Sequence, residues 1–181
     1  MSLEHNKTIA RQFLTELFSK WDFSLIEKII HNDYSVSKNS VSLIDFKDSL
    51  YEKPGKGNFR ERLHYIRTGM PDLEFQVTKM VAEGNEVIVW YTWSGTQKGE
   101  LFGFPPKNRK VKIFATNYFT IQAKKIVGTR ITLDSFSFLY QLGHVDFIND
   151  ESLVLRYLSD IERISSEFSG SIPSKSDPLI D

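Results

Sequence analysis

The hydrophobic period of this chain changes once, at Met70-Pro71-Asp72, and that change sets the fold class. Upstream, Ile9, Phe13, Leu14, Leu17 and Phe18 fall on one face at helical spacing. Asp22 stands as N-cap before a second helix carrying Leu25, Ile26, Ile29 and Ile30. Residues 35–57 are polar, hold Pro54, Gly55 and Gly57, and predict a long loop with room for one short helix. Asn58-Phe59-Arg60-Glu61 resembles a capping box, opening a third helix with Phe59, Leu63 and Ile66 inward. Gly69 and Pro71 stop that helix.

Downstream the pattern alternates. Leu73, Phe75 and Val77 form one face, and Glu83-Gly84-Asn85 predicts a turn. Val87 to Trp93 is a β-branched and aromatic strand. Gly99 to Asn108 is a loop with two prolines. Val111, Ile113, Ala115, Asn117, Phe119 and Ile121 share a face of a long strand, and Ala123-Lys124-Lys125 turns into a last strand over Ile126 to Asp134. Three helices followed by a meander of about four strands predict an α+β fold, with helices on one side of an antiparallel sheet.

Composition narrows the function classes. Lys+Arg and Asp+Glu are both 23, which argues against a generally basic nucleic-acid binder. The cluster Lys107, Arg109, Lys110 and Lys112 lacks interleaved aromatics and reads as a solvated hairpin. Absence of cysteine excludes disulfides, thiolate metal sites and a Cys nucleophile. His5, His31, His64 and His144 show no metal-ligand spacing; His31 is expected to be exposed, and His64 to face either inward or outward. No apolar run approaches the roughly 20 residues that span a bilayer, and the N-terminus lacks a secretory pattern. The expectation is a cytoplasmic protein with neither membrane nor nucleic-acid partners.

The last 38 residues differ from the rest. Residues 144–181 carry eight acidic and three basic side chains, leaving 1–143 at a net +5. The expected division is a core domain over 1–143 and an acidic extension over 144–181. Within the extension, Val154, Leu158, Ile161 and Phe168 predict an amphipathic C-terminal helix over about 150–168, followed by a flexible tail.

Three stretches resemble the SnoaL-like polyketide cyclase (ester cyclase) family, within the nuclear transport factor two-like superfamily. They are Met70-Pro71-Asp72-Leu73-Glu74-Phe75; Ser94-Gly95-Thr96 through Gly99-Glu100-Leu101-Phe102-Gly103-Phe104-Pro105-Pro106; and Lys125-Ile126-Val127 with Asp134 and Gln141-Leu142-Gly143. The second is the most specific. The resemblance covers roughly residues 5–143. It implies a cone, a strongly curved antiparallel sheet wrapped around the N-terminal helices with a cavity inside. It also implies intramolecular aldol chemistry without metal or cofactor, and a homodimer through the outer face of the sheet. That face would include Trp90, Phe114 and Tyr118. An aspartate near the end of the last long strand is the family's acid/base, and Asp134 matches it.

Aldol closure removes a proton from a carbon between two carbonyls, so it needs a carboxylate base and donors for the enolate oxygen. Leu133, Phe136 and Phe138 give Asp134 an apolar sequence setting, in which burial would raise its pKa. The other reading is that Asp134 caps the segment running to Tyr140. Alternation puts Gly128, Arg130, Thr132 and Asp134 on one face. Arg130, where the family often has a large aromatic, would hold a ligand's oxygen or be solvated. Asn117, alone on an apolar face, either satisfies a buried backbone group or points at a ligand. Tyr91 and Trp93 supply a stacking wall or plain core, and Phe13, Trp21, Phe59 and Leu63 line the cavity or pack the core. Two functions follow: a cofactor-free acid/base enzyme acting on a small, largely apolar carbonyl compound, or a non-catalytic ligand-binding or interaction module.

Overall fold

A computed structural model describes residues 2–36 and 54–145 of the chain. The expected amphipathic helix at about 150–168, the tail after it and most of the loop expected over 35–57 lie outside these residues. Among the described residues, no helix is long and apolar enough to cross a membrane.

Helix α1, Leu3–Gln12, starts at Ser2, whose hydroxyl accepts from the His5 amide at 3.2 Å. It runs on without a break into a π-helical segment, Phe13–Phe18, which buries Phe13, Leu14, Leu17 and Phe18. The widened turn lets adjacent positions 13, 14, 17 and 18 all reach the core. Helix α2, Leu25–Ile29, is capped at Ser24, not at Asp22. Asp22 instead accepts from the Ser24 amide at 3.0 Å, a short Asx turn one step ahead of the helix. Ile30, expected on that helix, begins strand β1, Ile30–Val36. Helix α3, Lys56–Gly69, takes Gly55 as its N-cap. Asn58 is thus inside the first turn, where its amide donates to the Pro54 carbonyl at 3.1 Å. The helix ends at Gly69, as Pro71 requires.

The sheet has five strands in the order β1-β5-β4-β3-β2, with β2 Glu74–Glu83, β3 Glu86–Thr96, β4 Lys110–Gln122 and β5 Lys125–Leu133. Strands β2 to β5 are the expected antiparallel meander, and β1 joins β5 in parallel. The sheet is curved and unclosed. Gly84 and Asn85 make the β2–β3 turn; Ala123 and Lys124, both at positive φ, make the β4–β5 turn. Helix α4, Ser135–Leu142, follows β5 and stops at Gly143 in the left-handed conformation.

Period-two alternation gives β4 a fully buried inner face, Val111, Ile113, Ala115, Asn117, Phe119 and Ile121. Phe13 meets Phe119 edge-on at 5.2 Å, stacks on Phe59 of α3 at 5.8 Å and touches Phe18 at 5.0 Å. These rings join the helices to the inner face. The outer face leaves Trp90 and Phe114 exposed, the latter at 77%.

Candidate functional site

Register with β4 decides which side of β5 faces inward. Thr129, Ile131 and Leu133 stand opposite Phe119, Asn117 and Ala115, all on the inner face. Arg130 and Thr132 therefore point outward, opposite Tyr118 and Thr116, and both are exposed. The Arg130 guanidinium lies 5.8 Å from the centre of the Tyr118 ring, a surface cation–π contact. This corrects the expectation that Arg130 and Thr132 face a ligand. Alternation separates two faces but does not name the inner one; pairing with the apolar face of β4 does.

Asp134 sits one residue beyond β5 as the N-cap of α4, its carboxylate accepting from the Ser137 amide at 3.0 Å. It is exposed. Hydrogen bonds from Ser137, hydroxyl and then amide, hold its pKa below the usual aspartate value. The expected apolar setting and raised pKa are thus corrected: of the neighbours on α4, Phe136 is exposed and Phe138 is buried in the core, while Asp134 stays in solvent. The stabilisation from this cap is present above the ordinary aspartate pKa and is lost as pH falls through the lowered one.

Asn117, Tyr91, Trp93, Phe59 and Leu63 are all buried. Trp93 is core: its indole N–H donates to the Met70 sulfur at 3.2 Å, and its ring lies 5.5 Å from Phe138 and 5.7 Å from Phe75. Phe59 packs against Phe13, Phe18 and Tyr34. Leu63, one turn along α3, is fully covered. Trp21 is half-buried, donating to the Pro71 carbonyl at 3.0 Å. His64 is exposed and lies edge-on to Phe23 at 4.8 Å. His31 is half-buried on β1.

Three interior polar residues escaped the sequence reading. Tyr34 of β1 and Thr129 of β5 share a buried hydrogen bond of 2.7 Å between hydroxyls. Burial pushes the Tyr34 phenol up, opposed by the positive charge of Arg62 and by hydrogen bonds from Thr129 and Arg62. Arg62 is itself buried, on α3 beside Phe59, Leu63 and Ile66. A charge inside an apolar helical stripe was the available signal for it. Tyr34 had none, because it lies in a polar run.

The SnoaL-like polyketide cyclase model matches residues 8–142. The chain belongs to the SnoaL-like polyketide cyclase family. Solved structures share the fold of this SnoaL-like chain. TsrD from Streptomyces laurentii is 19% identical with a TM-score of 0.67, over 80% of this chain and 99% of that one. A candidate polyketide cyclase from Acidithiobacillus ferrooxidans is 22% identical with a TM-score of 0.64, over 81% of this chain and 100% of that one. IdmH, a candidate polyketide cyclase from Streptomyces antibioticus, is 22% identical with a TM-score of 0.61, over 77% and 99%. No curated protein matches the sequence.

The stretches that carry the SnoaL-like resemblance join helix to sheet. Asp72 accepts from both the amide and the hydroxyl of Thr96, each at 2.7 Å. Burial raises the Asp72 carboxyl, but the Thr96 bonds outweigh it and its pKa falls below the usual value. Gln97, fully buried, donates to the Phe104 carbonyl at 3.0 Å and pins the loop that follows. Gln141 bonds both backbone groups of Lys112, at 2.8 and 3.1 Å. It serves the stretch of β4 beyond the end of β5, whose pairing stops at Ala115.

Proposed function

We propose that this chain carries out cyclase-type proton-transfer chemistry on a small, largely apolar carbonyl compound held against the inner face of the sheet. The observation that carries the reading is the buried group Arg62, Tyr34 and Thr129, set among aromatic side chains. A carbonyl oxygen of the compound held there would meet a fixed positive charge and hydroxyl donors in a water-poor setting, while its acidic carbon reaches Asp134, five residues along the chain from Thr129. Burial keeps the Tyr34 phenol neutral and able to donate. The base in this reading is Asp134, kept ionised by its capping bonds. A second reading, ligand binding without turnover, is favoured by the exposure of Asp134 and its commitment to the cap.

The test follows loss of the C2 proton of a 2-alkyl-1,3-diketone in D2O by NMR, against the uncatalysed rate. Wild-type protein should accelerate exchange. Asp134→Asn should slow it by about 100-fold or more, the scale of a lost general base. Asn caps as well as Asp, so the melting temperature should hold. Acceleration that survives Asp134→Asn makes the residue a cap alone. Binding of the diketone without exchange supports the second reading, and neither binding nor exchange overturns both.

We propose also that two copies pair through the outer face at Trp90, Phe114 and Tyr118; Trp90 and Phe114 are exposed, large groups to leave in water. Light scattering at micromolar concentration should give a dimer, and Phe114→Glu a monomer. A wild-type monomer would sink the idea.

A further inference from the structure

The fold satisfies most of its buried polar side chains. Tyr34 pairs with Thr129, Trp93 with Met70, and Gln97 with the loop it anchors. Tyr91 and Asn117 break that pattern. They are 2% and 1% exposed; the Asn117 amide oxygen is buried and unbonded, and the Tyr91 hydroxyl makes no hydrogen bond among the described residues. Leaving a buried group such as the Asn117 amide oxygen unmade costs about 1–3 kcal/mol, so native proteins rarely keep one without a use. Asn6 and His144 also each hold one unbonded atom, but Asn6 donates from its other end to the Gly84 carbonyl, and His144 lies away from the sheet against Phe104.

Tyr91 and Asn117 are neighbours. Tyr91 of β3 stands opposite Ala115 of β4, and Asn117 is two residues further along β4 on the same inner face. Diagonal partners of this kind lie roughly 7–8 Å apart between backbones, with side chains nearer. Ala115 between them is the smallest side chain of that β4 face. The surrounding surface is apolar: Phe75, 5.0 Å from the Tyr91 ring, and Val89 and Ile131 on either side of Asn117. Burial alone acts on the Tyr91 phenol and drives its pKa upward, so it remains a neutral donor. The two orphans are complementary, an O–H donor and an amide-oxygen acceptor.

We propose that Tyr91 and Asn117 form a two-point subsite for a hydroxylated carbonyl compound. The Tyr91 hydroxyl donates to the ligand's carbonyl oxygen, and the Asn117 amide oxygen accepts from the ligand's hydroxyl. This rests on the small-carbonyl reading above and narrows it to molecules bearing both groups on one compact apolar frame. Tyr91, expected to be wall or core, becomes a binding residue.

Three probes test it by calorimetry: 6-hydroxy-1-tetralone, its methyl ether, and 1-tetralone. Wild-type protein should bind the hydroxy compound about tenfold more tightly than the ether, the worth of one hydrogen bond to an otherwise unmade group. Asn117→Leu should abolish that preference while raising the ligand-free melting temperature, because an orphan amide is replaced by an apolar group of similar size. Tyr91→Phe should weaken all three ketones by a similar factor and leave the hydroxyl preference intact. Equal wild-type affinity for hydroxy compound and ether overturns this subsite alone. An Asn117→Leu protein that melts lower and keeps the preference does the same, and marks the amide as structural. Failure of every probe to bind counts against the small-carbonyl reading itself, and the subsite falls with it.

Discussion

Phe59→Ala is expected to destabilise the protein by about 3–5 kcal/mol, the usual cost of truncating a buried phenylalanine. Phe59 is 1% exposed and touches three rings from two other elements: Phe13 and Phe18 of the π-helical segment, at 5.8 and 6.3 Å, and Tyr34 of β1 at 4.8 Å. No neighbour can collapse into the space without pulling α3 off one of the others. A domain of ordinary size is stable by only about 5–15 kcal/mol, so the loss is a large share of the total. Urea unfolding at constant slope reads it as a shift in midpoint. Phe59→Leu, which fills much of the same volume, should recover most of the loss. A Phe59→Ala loss below about 1 kcal/mol, the cost of a surface change, would mean that α3 is not held by this cluster.

The contrast between β4 and β5 shows how much of this fold the sequence carries. On β4 the apolar residues recur on one face for six positions, so inward and outward are legible without a structure. On β5 one face is Thr129, Ile131 and Leu133 and the other Gly128, Arg130, Thr132, neither overwhelmingly apolar. Arg130 was therefore open between a ligand and solvent, and the register with β4 decides for solvent. Asp134 was legible as two things, cap and base, and its hydrogen bond to Ser137 realises the cap. Strand β1 was not legible at all. Its sequence, Ile-His-Asn-Asp-Tyr-Ser-Val, is polar because it is an edge strand, and its partner β5 is about ninety residues away in the chain. Tyr34 and Thr129 are brought together by that non-local pairing, so no local pattern announces them.

The most specific part of the sequence motif belongs to the structure's framework, and Gly99→Ala should expose that with a loss of about 2–4 kcal/mol. Both the Lys98 and Gly99 amides donate to the Gly69 carbonyl, at 2.8 and 3.2 Å, so the loop after β3 docks backbone-to-backbone on the end of α3. A Cβ on Gly99 would lie 2.7 Å from the Thr68 carbonyl oxygen and 3.3 Å from the Gly69 Cα. These are backbone atoms and cannot swing away as a side-chain tip can. Either the loop lifts, giving up two hydrogen bonds worth about 1 kcal/mol each, or the helix end shifts, at the roughly 1–3 kcal/mol typical of overpacking. For a chain of this length that is a fall in melting temperature of roughly 4–16 °C. Gly103→Ala makes the control: nothing lies within 4 Å of its Cβ position, and only its φ of +81° resists the change. Its cost should stay near the ~1–2 kcal/mol of a left-handed alanine. If the motif is framework, the surviving folded Gly99→Ala protein should bind ligand as wild type does. A Gly99→Ala protein that melts with wild type but loses ligand would move the motif from the framework into the binding site.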